Sequence, residues 1–191
     1  MVEFIIGGYP QRAFGKTDEP WLVDAGDAGP VPDDVIRALR RFGEPRLLDL
    51  RFDVRDDDHR DIPVIHNPVG LPADSTAGTV PDLFGMLVLT QGHQLTAAVA
   101  AIADADGPIL LRSRPGEPTA TLVAALTLLA AGASVHSVVE DSDGDPASGI
   151  AHALWVLDRF NGVECYLLRN GLTIEHFYSL RDRLFTEPDE P

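Results

Sequence analysis

The hydrophobic positions alternate between short runs and longer stretches with helical spacing. Short apolar runs between polar or turn-forming segments predict strands at residues 4–6, 21–23, 46–50, 62–65 and 109–111. Longer patterns predict helices at residues 33–41, 81–90, 94–103, 119–131, 135–139, 150–160 and 174–184. Trp155 falls on an apolar helix side and is expected in the core, whereas residues 141–149 are expected to form an acidic turn. Strands and helices that alternate in this way are typical of a three-layer α/β domain, with a mostly parallel central sheet flanked by helices.

Residues 107–132 read as a buried strand, a polar loop and a buried helix. The apolar run at residues 109–111 stops at the loop 112–118, and a nearly continuous apolar segment of helical length follows. The first N–H groups of a helix lack intrahelical partners and carry the positive end of its dipole, so such a loop favours a bound anion. The candidate ligand-binding residues are Arg112, Ser113, Arg114, Gly116, Glu117 and Thr119.

The segment at residues 110–122, LLRSRPGEPTATL, resembles the signature loop of the cysteine-dependent tyrosine phosphatases. The resemblance is to their bacterial tyrosine/serine, dual-specificity branch in particular. Residues 48–51 (LDLR) and 166–173 (YLLRNGLT) are similar to two further segments of that family. The resemblance implies a single phosphatase-like domain over residues 1–191, in which Asp49 and Arg51 brace the loop.

Other residues stand at the positions that carry the family's chemistry. Ser113 occupies the position of the nucleophilic cysteine, and Thr119 occupies that of the phosphate-clamping arginine. Glu117 and Pro118 replace a Lys–Asp pair, and Gly116 is retained. A serine hydroxyl needs a base to attack, and a threonine cannot make the two parallel bonds that a guanidinium makes to phosphate. The resemblance therefore implies a catalytically degenerate member, a pseudophosphatase without catalytic residues.

Three functions stay open from the sequence. The first is a pseudophosphatase whose loop binds a small anionic or carboxylate ligand, or a protein partner. The second is a non-phosphatase enzyme acting on a small molecule, for example in specialised metabolism, with these loop residues as acid, base or carboxylate-binding groups: Arg112, Ser113, Arg114 and Glu117. The third is an active phosphatase using Ser113, which is disfavoured because the loop contains no histidine to activate the hydroxyl.

Composition and charge limit the possible classes further. With 191 residues, of which 45% are hydrophobic and 24% charged, the chain suits one globular domain. Its formal charge of −15 repels nucleic acid and anionic membranes, so neither is expected as a partner. The single cysteine, Cys165, excludes an internal disulfide, and the spacing of His59 and His66 does not indicate a metal site, so no metal or cofactor is expected. No apolar run has the length of a membrane span and no signal peptide is recognisable, which predicts a cytoplasmic protein.

Overall fold

The computed structural model describes residues 2–6, 9–16, 19–24, 31–52, 62–71, 78–114, 119–140 and 145–184. The strands are β1 (Val2–Ile6), β2 (Tyr9–Lys16), β3 (Glu19–Asp24), β4 (Arg46–Asp49), β5 (Val64–His66) and β6 (Ile109–Arg112). The α-helices are α1 (Asp33–Leu39), α2 (Val80–Thr90), α3 (Gly92–Ala103), α4 (Thr119–Ala130), α5 (Val135–Glu140), α6 (Asp145–Leu157), α7 (Gly162–Arg169) and α8 (Ile174–Leu184). Short 3-10 turns extend α1 at Arg40–Phe42 and α6 at Asp158–Phe160.

The six strands form one sheet in the order β1-β2-β3-β6-β4-β5. Strands β3, β6, β4 and β5 are parallel to one another, while β1 and β2 form an antiparallel extension beside β3. Strands β6 and β4 are the two inner strands of the parallel part, with β3 beside β6 and β5 beside β4. A mostly parallel sheet with helices around it confirms the fold class that the sequence predicts.

Successive strand residues face opposite sides of the sheet and enter two separate hydrophobic clusters. The smaller cluster lies against α1 and contains Val23, Leu47 and Leu110. The larger cluster lies against α2–α8 and contains Leu22, Leu48, Ile109 and Leu111. Both faces of β4 and β6 are therefore buried, which explains why these two strands read as continuous apolar runs, whereas the edge strand β5 is largely exposed.

Helices α2 and α6 pack closely because each has a glycine at their contact. A Cβ atom on Gly149 of α6 would lie 2.6 Å from Cδ2 of the buried Phe84. A Cβ atom on Gly85 of α2 would lie 2.9 Å from the ring of His152. No real Cβ makes contacts this short, so the two glycines allow the helices to approach.

The structure corrects the sequence predictions at several places. Strand β2 was not predicted, because Tyr9–Lys16 lacks an alternating pattern and owes its place to pairing on both sides. Helix α7 was not predicted either, and α6 begins at Asp145, within the segment predicted as an acidic turn. Trp155 was predicted in the core but is 55% exposed, so that prediction was wrong.

No single helix among the described residues is both long and apolar enough to cross a membrane. Helices α2 and α3 pass that test only when they are taken together, and they meet at an angle of 87°.

Candidate functional site

The parallel strands all end at one edge of the sheet, which we call the carboxyl edge. The last residues of these strands are Asp24, Asp49, His66 and Arg112. Helix α4 begins after the loop that follows β6, and α3 begins near the same edge, where Asn67 Nδ2 donates a hydrogen bond to the Gln94 carbonyl at 2.9 Å. The edge therefore combines strand ends with the positive ends of two helix dipoles. Open parallel sheets bind their ligands at edges of this kind.

A buried ion pair lies at the centre of the carboxyl edge. Asp49 is fully buried, and Arg51 binds both of its carboxylate oxygens, with Nε 2.9 Å from Oδ1 and Nη2 2.7 Å from Oδ2. The backbone N–H of Arg51 also donates to Oδ1, at 3.0 Å. Burial by itself raises the pKa of Asp49, but the hydrogen bonds from Arg51 and the positive charges of Arg51 and Arg112 outweigh it. The net result is a lowered pKa, so Asp49 is an anion at neutral pH.

Backbone hydrogen bonds fix the start of the candidate loop beyond the last strand residues. Leu50 N–H donates to the Arg112 carbonyl at 2.9 Å, and Val69 N–H donates to the Leu50 carbonyl at 2.9 Å. Asn67 N–H donates to the Asp49 carbonyl at 3.0 Å. These bonds join the segments after β4, β5 and β6, so the loop leaves the sheet from a fixed position.

The structure brings four of the six candidate residues to this edge. Arg112 is 2% exposed and lies near enough to Asp49 for its charge to lower the pKa of that carboxyl. Ser113 is 8% exposed, Arg114 is half-buried, and Thr119 is buried as the first residue of α4. The other two candidates, Gly116 and Glu117, lie outside the described residues.

His66 also belongs to the carboxyl edge, although the sequence analysis considered it only as a metal ligand and rejected that role. Its Nε2 lies 2.8 Å from the Arg51 carbonyl, and a carbonyl can only accept, so Nε2 carries a hydrogen. In the neutral ring Nδ1 is then the atom with the free lone pair. Its strand β5 is two strands away from β6, or roughly 10 Å from the Arg112 backbone. The signal that could have identified His66 is its place directly after a predicted strand.

No group of three or more metal-binding side chains is arranged to hold an ion within the part of the chain that the structure describes. The carboxyl edge instead holds the Asp49 carboxylate beside two guanidinium groups, those of Arg51 and Arg112. Guanidinium groups can bind an anion through parallel, charge-assisted hydrogen bonds.

Models of known protein families give no match to this chain, and a comparison with curated proteins gives none either. The likeness to the tyrosine phosphatases therefore rests on the sequence segments quoted above. Since one scaffold can host unrelated activities, the function has to be argued from the residues of the carboxyl edge.

Proposed function

We propose that this protein is a catalytically degenerate relative of the tyrosine phosphatases, a pseudophosphatase that binds a small anionic or carboxylate ligand at the carboxyl edge. The observation that supports this proposal is the gathering of two guanidinium groups, those of Arg51 and Arg112, beside Asp49 at the edge where the α4 helix dipole begins. Because the whole chain has a formal charge of −15, a small anion is repelled less than a highly charged one. We place its activity in the cytoplasm, without nucleic acid or membrane as a partner.

The state of Ser113 and Thr119 argues against phosphatase chemistry. Ser113 is 8% exposed, and His66 is two strands away from β6, too distant for a direct hydrogen bond to the Ser113 hydroxyl. Thr119 is buried at the start of α4, where it offers one hydroxyl and no charge. The removal of a group that stabilises a transition state often costs ~3 kcal/mol, so the two departures together make turnover negligible.

The position of His66 supports a second candidate function, a non-phosphatase enzyme that acts on a small carboxylate. Because Nε2 donates to the Arg51 carbonyl, the neutral ring would present Nδ1 as a base at the same edge as the arginines. A small carboxylate substrate bound at this edge would then transfer a proton to Nδ1 of His66, with the electron pair of the broken bond left on the substrate. This function predicts a preference for carboxylates over phosphate.

A titration with small anions tests ligand binding at the carboxyl edge. Phosphate, sulfate and succinate are added to ¹⁵N-labelled protein at low salt, and the amide signals of residues 112–114 and 119–120 are followed. We expect weak, salt-sensitive binding, since the attraction is electrostatic and partly exposed to solvent. The variant Arg112→Gln should lose the response, while the control Arg37→Gln, an exposed arginine on α1, should keep it. An equal response from both variants, or none from the wild type, contradicts the proposal.

Turnover of an activated aryl phosphate tests the absence of catalysis. We expect no turnover by the wild type or by Ser113→Cys, because a thiolate without an arginine cannot stabilise the transferring phosphoryl group. The smallest change with a realistic chance of activity combines Ser113→Cys, Glu117→Lys, Pro118→Asp and Thr119→Arg. Wild-type turnover that disappears in Ser113→Ala would refute the proposal.

A further inference from the structure

An exposed aromatic ring, that of Phe52, lies at the carboxyl edge directly after Arg51. The residue is 52% exposed. Three of its ring atoms lie within 4 Å of the position that a Cβ atom on Gly70 would have, and the nearest, Cε2, is 2.8 Å from it. The ring therefore contacts the backbone of Gly70, as only a residue without a Cβ atom allows, while about half of the phenylalanine stays in solvent.

Backbone hydrogen bonds bring Phe52 close to the candidate loop. The Leu50 N–H donates to the Arg112 carbonyl, and the Leu50 carbonyl accepts from the Val69 N–H, both at 2.9 Å. Phe52 is two residues beyond Leu50, so at most about 7 Å separates their Cα atoms. Because neighbouring strands lie roughly 5 Å apart, the Phe52 Cα atom is within roughly 12 Å of the Arg112 Cα atom. The two side chains and a small ligand span a distance of this order.

The surroundings of the ring give it a meaning that a lone exposed phenylalanine lacks. Single exposed apolar residues are ordinary on protein surfaces. This ring, however, stands at the edge where open parallel sheets bind their ligands, beside the guanidinium groups of Arg51 and Arg112. Ligand sites typically combine apolar or aromatic side chains with a few polar groups that fix the orientation of the ligand. The carboxyl edge holds both kinds of group.

We propose that the ligand of the carboxyl edge is a carboxylate that carries an aromatic ring. Its carboxylate would lie at the guanidinium groups, and its ring would pack against the exposed part of the Phe52 ring in an offset or edge-to-face arrangement. A singly charged head group suits a chain with a formal charge of −15 better than a doubly charged phosphate does. The assignment rests on the proposed function, because it names the chemical class of the ligand for that same site.

Three small ligands test this assignment with the full chain at constant, low ionic strength. Acetate and benzoate share a head group and differ in the aromatic ring, whereas phenyl phosphate keeps the ring and carries more negative charge. Affinities come from the amide signals of residues 112–114 in ¹⁵N-labelled protein. We expect benzoate to bind roughly fivefold more tightly than acetate, as a well-placed aromatic pair allows. Benzoate should also bind more tightly than phenyl phosphate, and the amide signal of Gly70 should shift with benzoate but not with acetate.

Two variants test the part played by the Phe52 ring. Phe52→Ala should lower the affinity for benzoate roughly fivefold, to that for acetate. Gly70→Ala should act in the same direction, since its new Cβ atom would displace the ring and leave the phenylalanine in the chain. Gly70 has no positive φ, so alanine fits its backbone. The matched control is Phe42→Ala, which removes an exposed phenylalanine before β4, at the opposite edge of the sheet, and should leave benzoate binding unchanged. Circular dichroism confirms that each variant is folded.

The outcomes separate this assignment from the proposed function. If none of the three ligands shifts the signals of residues 112–114, the carboxyl edge binds no small anion and the proposed function fails as well. Equal binding of acetate and benzoate shows that the edge binds anions without selecting a ring, and it overturns the aromatic ligand alone. The same conclusion follows if benzoate keeps its advantage in both Phe52→Ala and Gly70→Ala. Tighter binding of phenyl phosphate than of benzoate overturns the carboxylate.

Discussion

Charged side chains are buried at the carboxyl edge, whereas large hydrophobic side chains are exposed on α6 and α8. Asp49 and Arg112 have almost no contact with solvent, while Trp155 and Tyr178 have more than half of their surface exposed. The buried Asp49 carboxylate is paired with the Arg51 guanidinium, whereas the exposed Trp155 ring is contacted by the Arg159 guanidinium, 4.4 Å from its centroid. Residue type alone therefore does not decide burial at these positions, and the position in the topology decides it there. The two regions offer different kinds of binding energy, electrostatic at the edge and hydrophobic at the exposed side chains.

The largest expected effect concerns the compensation of charge at the carboxyl edge. Asp49→Ala would remove the carboxylate that the Arg51 guanidinium binds through both oxygens, and removal of one partner of a buried ion pair costs about 3–5 kcal/mol. We expect a loss of that size in the free energy of unfolding, measured by urea denaturation. The control is Asp106→Ala, which removes an exposed pair with Arg46 at 3.5 Å and should cost less than about 1 kcal/mol. Equal losses of unfolding free energy in the two variants would contradict this expectation, because the Asp49–Arg51 pair would then contribute no more to stability than an exposed ion pair.

A smaller effect is expected where α6 packs against α2. Gly149→Ala would place a Cβ atom 2.6 Å from Phe84 Cδ2, and crowding of a packed core typically costs about 1–3 kcal/mol. The control is Gly78→Ala, whose new Cβ would be 3.6 Å from the nearest side-chain atom, Asp82 Oδ2, an ordinary contact. Urea denaturation of both variants measures the difference. If Gly149→Ala leaves the free energy of unfolding unchanged, α2 and α6 can move apart to make room for the new Cβ atom. The shape of the surface above these helices could then change as well.

Low pH should lower the free energy of unfolding through the protonation of Asp49 at the carboxyl edge. The pKa of Asp49 is lower in the folded protein than in the unfolded chain, so its contribution to stability is present at neutral pH and is lost as the pH falls below about 4. We expect Asp49→Asn to lose less stability than the wild type between about pH 6 and about pH 3, because it has no carboxylate to protonate. Parallel pH curves for wild type and Asp49→Asn would contradict the lowered pKa.

The sequence predicted the central part of the fold well because its signals are local. The apolar run at residues 109–111 and the segment at residues 119–131 correspond closely to β6 (Ile109–Arg112) and α4 (Thr119–Ala130). Strand β2 has no such signal, since Pro10 and Gly15 interrupt it, and its extended form depends on pairing with β1 and β3. Helix α7 has eight residues and follows Asn161, whose φ of 63° starts a new direction that no periodicity reveals.

The candidate site was predicted only in part for a related reason. The position of the loop after β6 follows from the local pattern, whereas only the resemblance to the phosphatases placed Asp49 and Arg51 beside it. Asp49 becomes a neighbour of Arg112 because β4 pairs with β6, and sequence spacing carries no information about strand order. The same limit explains Trp155, because the apolar side of a helix reaches the core only where another element covers it.

The smallest expected effect is the change in the free energy of unfolding when Trp155, which is exposed on α6, is truncated. Trp155→Ala should lower the free energy of unfolding by only about 0.5–1 kcal/mol, mainly through the lost contact with the Arg159 guanidinium, which lies 4.4 Å from the Trp155 ring centroid. The control is Phe84→Ala on α2, because a fully buried aromatic side chain leaves a cavity and typically costs about 3–5 kcal/mol. Both values come from urea denaturation of the isolated protein. If Trp155→Ala costs as much as Phe84→Ala, Trp155 is part of the core in solution. If the cost is small, the tryptophan contributes little to folding, as expected for a side chain on the surface.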